Sequence, residues 1–166
     1  MAPLPAIRIE IEVNGKPMSA EVEPRLLLAS FLREHLRLTG THVGCDTTQC
    51  GCCVVHLDGE AVKACTIFAV QVNGRRVTTI EGLADPDGGL HPMQQAFQDH
   101  HGLQCGFCTP GMVMMGCDIA RRLPDADEMT VRHQLEGNIC RCTGYRGIVA
   151  AVQDGARKMA EGDGDA

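Results

Sequence analysis

The chain has 166 residues, of which 44% are hydrophobic and 22% are charged, a composition typical of a folded globular protein. Its formal net charge is −6. This charge and the absence of a dense Lys/Arg cluster exclude nucleic acid as the expected partner, because phosphate binding needs such clusters. No apolar run approaches the roughly 20 residues of a membrane-spanning helix.

The first half of the sequence predicts a small sheet crossed by one helix. Alternating apolar residues, with Asn-Gly and Asp-Gly turn signals at residues 14–15 and 58–59, predict two hairpins. Apolar residues at helical spacing over residues 27–36 predict the helix. The predicted strands are residues 7–13, 18–22, 54–57, 61–65 and 77–80. Together they indicate a small α+β domain that closes near residue 82.

The second half is predicted to be helical. A turn-rich stretch at residues 84–89, with one Pro and four Gly or Asp residues, precedes it. Capping residues and helical periodicity then predict four helices, the third of which takes Thr130 as its N-cap. The predicted helices are residues 92–100, 110–123, 130–136 and 147–159. The last residues are small and acidic and are expected to be disordered.

Ten cysteines are the most informative feature of the composition. The N-terminal residues carry no secretory signal pattern, so we expect a cytoplasmic, reducing compartment in which structural disulfides are rare. Metal binding is therefore favoured over a disulfide framework.

Five of these cysteines lie in the first half. Cys45, Cys50 and Cys53 have the C-x4-C-x2-C spacing of plant-type [2Fe–2S] ferredoxins, and Cys65 is the candidate fourth ligand in this half. A zinc site is the alternative, although C-x4-C is unusual among zinc ligands. Cys52 would break the spacing and would point away from its neighbours in an extended loop. It is predicted to be a small buried residue.

The second half carries a Cys105-x2-Cys108 pair and a Cys140-x-Cys142 pair. Each pair precedes a predicted helix start, where the helix dipole stabilises negative charge. The spacing alone leaves both a [2Fe–2S] cluster and a zinc site open. A thioredoxin-like redox pair is disfavoured, because no parallel strand leads into the first motif. The remaining cysteine, Cys117, is expected in the core.

Three segments together resemble the small iron–sulfur subunit of the molybdenum hydroxylases, the family of xanthine dehydrogenase, aldehyde oxidoreductase and aerobic carbon monoxide dehydrogenase. They are GCDTTQCGCCVVHLDG (44–59), QCGFCTPGM (104–112) and GNICRCTGYRGIVAAV (137–152). The resemblance extends over residues 6 to about 158 and implies an α+β fold. Its domains would be a plant-ferredoxin-like β-grasp domain (1–82), a linker (83–90), a helical domain built as a four-helix bundle (91–161) and a disordered tail (162–166).

The resemblance also implies what each domain binds. Each would hold one [2Fe–2S] cluster, with the helical-domain cluster nearer to molybdenum and the N-terminal cluster nearer to a flavin. Gln104 and Cys142 would contact the pterin of the molybdenum cofactor across a subunit interface. The implied ligands are Cys45, Cys50, Cys53 and Cys65 for the N-terminal cluster, and Cys105, Cys108, Cys140 and Cys142 for the helical-domain cluster.

By this resemblance the chain is a non-catalytic electron-transfer subunit of an oxidoreductase. Its partners would be a large subunit with a molybdenum–molybdopterin dinucleotide cofactor and a medium FAD-binding subunit, assembled as a dimer of heterotrimers. The complex would lie in the cytoplasm, either free or held at the inner face of the membrane. Two other classes stay open from the sequence: a stand-alone two-cluster electron carrier and a zinc-stabilised interaction module.

The first cysteine loop, THVGCDTTQCG (41–51), is most similar to that of the carbon monoxide dehydrogenase branch. That branch usually has Ala where this chain has Cys52. It also includes small subunits of hydroxylases for nicotine, quinoline-type heterocycles and aldehydes. Carbon monoxide is therefore the first expectation for the substrate of the complex, with an N-heterocycle or an aldehyde as the alternative.

Overall fold

The computed structural model describes residues 5–84 and 87–162. Within them, five strands form a single mixed sheet with the order β2-β1-β5-β3-β4. Strands β1 and β5 pair in parallel, whereas the other neighbours are antiparallel. The strands are β1 (Ile7–Val13), β2 (Lys16–Val22), β3 (Val54–Leu57), β4 (Glu60–Lys63) and β5 (Arg76–Thr78). The sheet confirms the predicted α+β class.

The first hairpin forms where the alternation and the turn signal predicted it. Ile9, Ile11 and Val13 are buried on one face of β1. The turn residues Asn14 and Gly15 both have positive φ, 51° and 74°, which matches the right-handed twist of the hairpin strands.

Helix α1 crosses the buried face of this sheet. It begins as an α-helical turn, Leu28–Ser30, and continues with π-type hydrogen bonds over Phe31–His35. Its apolar spacing places Leu28, Phe31 and Leu32 in the core with at most 1% exposure. The predicted helix is confirmed, and its C-terminal end leads into the first cysteine loop.

Four helices follow in the second half of the described chain, as predicted: α2 (Pro92–Asp99), α3 (Thr109–Arg122), α4 (Glu128–Gln134) and α5 (Arg146–Gly162). The predicted N-cap Thr130 is wrong. The carboxylate of Asp127 accepts the N–H of Thr130 at 2.8 Å, so Asp127 is the cap and α4 begins one residue after it. Residues 85–86 of the predicted linker and 163–166 of the predicted tail lie outside the described residues.

The described residues contain two hydrophobic cores. One lies between α1 and the sheet, and the other lies among α2, α3 and α5. In the second core, Met93 of α2 packs against glycines of both neighbouring helices. A Cβ on Gly155 would lie 2.6 Å from the Met93 sulfur, and one on Gly116 would lie 3.0 Å from it, so these helices approach closely. The domain boundaries themselves stay a prediction.

Helix α3 also packs directly on the second hairpin. His56 of β3 is 3% exposed, and its Nε2 lies 2.8 Å from the carbonyl oxygen of Met114. Burial lowers the pKa of His56, so the neutral ring donates Nε2–H to that carbonyl. The carboxylate of Asp118 accepts the N–H of Ala61 at 3.2 Å. These contacts hold the middle of α3 against the second hairpin of the sheet.

No helix within residues 5–84 and 87–162 combines the length and the apolar composition of a membrane span.

Candidate iron–sulfur sites

The first site is built from the loop between α1 and β3 and the turn after β4. Cys45, Cys50 and Cys53 lie on the loop, and Cys65 lies on the 3-10 turn that follows β4. Because β3 and β4 pair antiparallel, with Val54 opposite Lys63, the turn returns beside the end of the loop. The thiols of Cys53 and Cys65 therefore contact each other. The hairpin thus brings the distant fourth cysteine to the loop.

Backbone N–H groups in the loop point at the sulfur of Cys45. The Cys50 N–H lies 3.5 Å from that sulfur. Hydrogen bonds from the backbone of Cys50 and Thr47 lower the pKa of the Cys45 thiol to about 6. The same N–H groups would stabilise the negative charge of a cluster ligand. Gly44 leaves space for this arrangement, since a Cβ there would lie 3.3 Å from the Cys50 sulfur.

Cys52 and Cys53 point into different cores. Cys53 packs in the sheet core and contacts Cys65, whereas Cys52 packs in the helical core with Cys108 and Cys140. Cys52 is 5% exposed, and burial raises its pKa to about 12. Burial also raises the pKa of Cys53 to about 12, so burial does not distinguish the two thiols. The two thiols are distinguished by the core into which each side chain points.

We expect the variant Cys53→Ala to lose the N-terminal cluster and therefore about half of the bound iron, whereas Cys52→Ala keeps all of it. The reason is that only Cys53 faces Cys65. Iron and acid-labile sulfide analysis of the two purified variants makes the comparison, and each variant serves as the size-matched control of the other. Equal loss of iron in both variants would show that the wrong member of the pair is assigned as ligand.

The second site lies between the loop that precedes α3 and the loop that precedes α5. Cys105 and Cys142 are exposed and their thiols contact each other. Cys108 and Cys140 are buried, at 9% exposure each, and form the second contacting pair. Burial raises the pKa of Cys108 to about 12, whereas the backbone N–H of Phe107 lowers the pKa of Cys105. The site thus has one buried and one exposed thiol pair.

Hydroxyl groups organise the loop before α5. Burial acts to raise the pKa of Cys140, but the hydroxyl of Thr143, 3.2 Å from the sulfur, and neighbouring N–H groups lower it overall. The hydroxyl of Tyr145 accepts the N–H of Cys140 at 2.8 Å and donates to the carbonyl of Asn138 at 3.2 Å. The sequence analysis missed these three supporting residues. Their only sequence signal is polar side chains within five residues of a cysteine.

The thiol geometry fits [2Fe–2S] clusters. In a [2Fe–2S] cluster each iron takes two thiolates, so four cysteines should approach one another in pairs. Both sites have this arrangement, with contacting thiol pairs at 45/50 and 53/65 in the first and at 105/142 and 108/140 in the second. In the first site the Cys50 thiol also contacts that of the buried Cys52. Within the described residues, no three Cys, His, Asp or Glu side chains converge as they would around a single metal ion.

The two sites adjoin a common cavity of about 200 Å³. It is lined from both halves of the chain by Gly44, Cys50, Cys52, Cys105, Phe107, Cys108, Ile139, Cys140, Arg141 and Cys142. On its rim, the ring of Phe107 stacks on that of His42 with 4.7 Å between centroids, and His42 Nδ1 lies 2.7 Å from the Phe107 carbonyl oxygen. The remaining site candidate, Gln104, is exposed beside Cys105.

Two family domains cover most of the chain. A 2Fe-2S iron-sulfur cluster binding domain matches residues 11–78, and a [2Fe-2S] binding domain matches residues 79–153.

Individual relatives match over nearly their whole length. The chain is 49% identical to the 6-hydroxypseudooxynicotine dehydrogenase complex subunit beta of Paenarthrobacter nicotinovorans, over 90% of this chain and 93% of the relative. It is 45% identical to the caffeine dehydrogenase subunit gamma of Pseudomonas sp. strain CBB1, over 87% and 88%. Among solved structures, a chain of quinoline 2-oxidoreductase from Pseudomonas putida 86 superposes with a TM-score of 0.90 at 42% identity, covering 97% of this chain and 99% of that one.

Proposed function

Because the chain belongs to the family of small [2Fe–2S] subunits of the molybdenum hydroxylases, we propose that its eight paired cysteines hold two clusters that connect a molybdenum centre to a flavin. The chain is the non-catalytic electron-transfer subunit of a multi-subunit oxidoreductase. The observation that carries the assignment of ligands is the contact of thiols in pairs at both sites. Each cluster, when bound, takes up and releases one electron at a time.

The ligands of each cluster come from two segments that are separate in the sequence. We assign Cys45, Cys50, Cys53 and Cys65 to the N-terminal cluster, and Cys105, Cys108, Cys140 and Cys142 to the helical-domain cluster. In the first site, backbone N–H groups of the loop stabilise the negative charge of the Cys45 thiolate. In the second, the hydroxyl of Thr143 does so at Cys140. This chain's residues therefore hold the clusters and set their charge environment.

The exposure of the second site supports an order of electron flow. Cys105 and Cys142 are exposed, as is the neighbouring Gln104, so a partner subunit can reach this edge of the helical domain. We assign this edge to the large molybdenum-binding subunit, with Gln104 and Cys142 in contact with the pterin. The N-terminal cluster then faces a medium subunit that binds FAD.

The named relatives favour an N-heterocycle as the substrate of the complex, because nicotine derivatives, caffeine and quinoline are all nitrogen heteroaromatics. We therefore place the chain in a heterocycle hydroxylase. Carbon monoxide is the second candidate, and the observation that favours it is the loop at residues 41–51. Aldehydes are the third class, open from the sequence.

Affinity purification of the tagged chain from its native cells tests the proposal. We expect a large molybdenum-containing subunit and a medium FAD-containing subunit to co-purify, and the complex to reduce a dye with quinoline or nicotine but not with carbon monoxide. Turnover with carbon monoxide alone would overturn the substrate class. A chain that purifies alone with both clusters would instead be a stand-alone carrier, and a colourless zinc protein would be an interaction module.

A further inference from the structure

Backbone segments from both cluster sites meet at a tightly packed junction. Gly51 lies in the N-terminal cluster loop, and Gly111 lies in the first turn of α3, directly after the first helical-domain ligands. A Cβ on Gly111 would overlap the carbonyl oxygen of Gly51 and lie 3.0 Å from the Cα of Cys52. A Cβ on Gly51 would lie 2.7 Å from the side-chain amide of Asn138. Only glycines permit these approaches.

The side chain of Asn138 joins the segments at this junction. Its Nδ2 donates to the carbonyl oxygen of Gly51 at 3.2 Å and to that of Gly111 at 3.3 Å. Asn138 is 2% exposed. Its own backbone is fixed as well, because its N–H donates to Leu135 and its carbonyl accepts from the Tyr145 hydroxyl. One amide group therefore holds a loop 87 residues away and a helix 27 residues away.

Burial of this amide carries a free-energy cost that an apolar side chain would avoid. Within the described residues, the Oδ1 atom of Asn138 is buried without a hydrogen-bond partner. A buried acceptor without a partner destabilises a fold. The two hydrogen bonds that Nδ2 donates offset this cost, and together they link the N-terminal cluster loop to the first turn of α3.

The residue after Asn138 makes the direct contact between ligand-bearing segments. The N–H of Ile139 donates to the carbonyl oxygen of Cys50 at 2.9 Å. Ile139 precedes Cys140, and Cys50 is a ligand in the other site. One hydrogen bond therefore links the main chain of a helical-domain ligand to that of an N-terminal ligand. Electron tunnelling is faster along such a bonded route than across a gap.

We propose that Asn138 is a positioning residue for electron transfer between the two clusters. Its amide holds the Gly51 and Gly111 segments together. The hydrogen bond from the Ile139 N–H to the Cys50 carbonyl oxygen therefore keeps its length. One electron passes from one cluster to the other; no bond forms or breaks, and no proton moves. The inference rests on the proposed function, because it requires both clusters.

Two variants with opposite packing risks test this role in the assembled complex. Asn138→Leu keeps the branched shape of the side chain, adds volume and removes both donors, whereas Asn138→Ala removes the donors and leaves space. The matched control is Gly137→Ala at the preceding position, where an added Cβ meets nothing closer than the Lys63 ammonium at 3.5 Å. Iron and sulfide content, single-turnover spectra and the magnetic interaction between the two reduced clusters are measured for each.

We expect both Asn138 variants to keep full iron and to reduce the helical-domain cluster at the wild-type rate. Reduction of the N-terminal cluster should slow by about tenfold or more, as for other misplaced reacting groups. The splitting from cluster–cluster magnetic interaction should shrink, whereas Gly137→Ala should match wild type in both measurements.

Wild-type splitting and wild-type transfer in an iron-replete Asn138 variant would overturn the inference. Equal slowing in Gly137→Ala would also overturn it, because the effect would then belong to the loop in general. Failure of the proposed function has a different signature, since wild-type protein would then either contain no iron or sulfide or purify alone with both clusters.

Discussion

Replacing Cys142 with serine is expected to stop reduction of the flavin by substrate. Cys142 is exposed, contacts Cys105 and lies at the edge assigned to the molybdenum subunit. Serine keeps the size of the side chain but offers a harder oxygen ligand, which suits an iron–sulfur cluster poorly. We expect the rate of flavin reduction to fall by about a hundredfold or more, while substrate still binds to the complex.

Rapid mixing of the assembled complex with substrate measures this effect. The flavin absorbance should stay that of the oxidised form, and the signal of the helical-domain cluster should be lost or altered. Cys117→Ala is the control for the loss of a helical-domain thiol, because Cys117 lies in the helical core, at 2% exposure, and is not among the assigned ligands. Flavin reduction at full speed in Cys142→Ser would refute the assigned order of electron flow.

Replacing Cys65 with serine is expected to block the route at a later point. Cys65 reaches its site only through the β3–β4 hairpin and contacts Cys53. The N-terminal cluster should therefore be lost or altered while the helical-domain cluster, in a separate core, keeps its iron. Flavin reduction should again fall by about a hundredfold or more.

The two serine variants differ in what substrate still reduces. In Cys65→Ser the signal of the reduced helical-domain cluster should appear at the wild-type rate, because the change lies beyond it on the route. Low-temperature electron paramagnetic resonance of rapidly frozen samples distinguishes the two clusters. If Cys65→Ser also prevented reduction of the helical-domain cluster, either the order or the independence of the two sites would be wrong.

Regular elements of the fold were predictable because they repeat a simple pattern. Alternation and turn residues located the first hairpin, and apolar spacing located α1 and the four later helices. The N-cap of α4 was not predictable with the same certainty, since Asp127 and Thr130 both carry suitable oxygens. The structure decides between them, because the Asp127 carboxylate accepts the Thr130 N–H.

The cysteine spacing indicated the candidate sites, but not how the two sites meet. Spacing describes residues that are close in sequence, and it separated Cys53 from Cys52. The contact of Asn138 with Gly51 joins residues 87 positions apart and follows no period. The same holds for the contact of His56 with Met114, which fixes α3 on the hairpin. Such contacts depend on the packing of the two halves, which the local pattern does not encode.

The central claim is that this chain holds two [2Fe–2S] clusters on its paired cysteines. The most direct measurement is metal and acid-labile sulfide analysis of the anaerobically purified chain, with its visible spectrum. We predict a red-brown protein with about four iron and about four sulfide per chain. Stoichiometric zinc without sulfide in a colourless protein would contradict the claim.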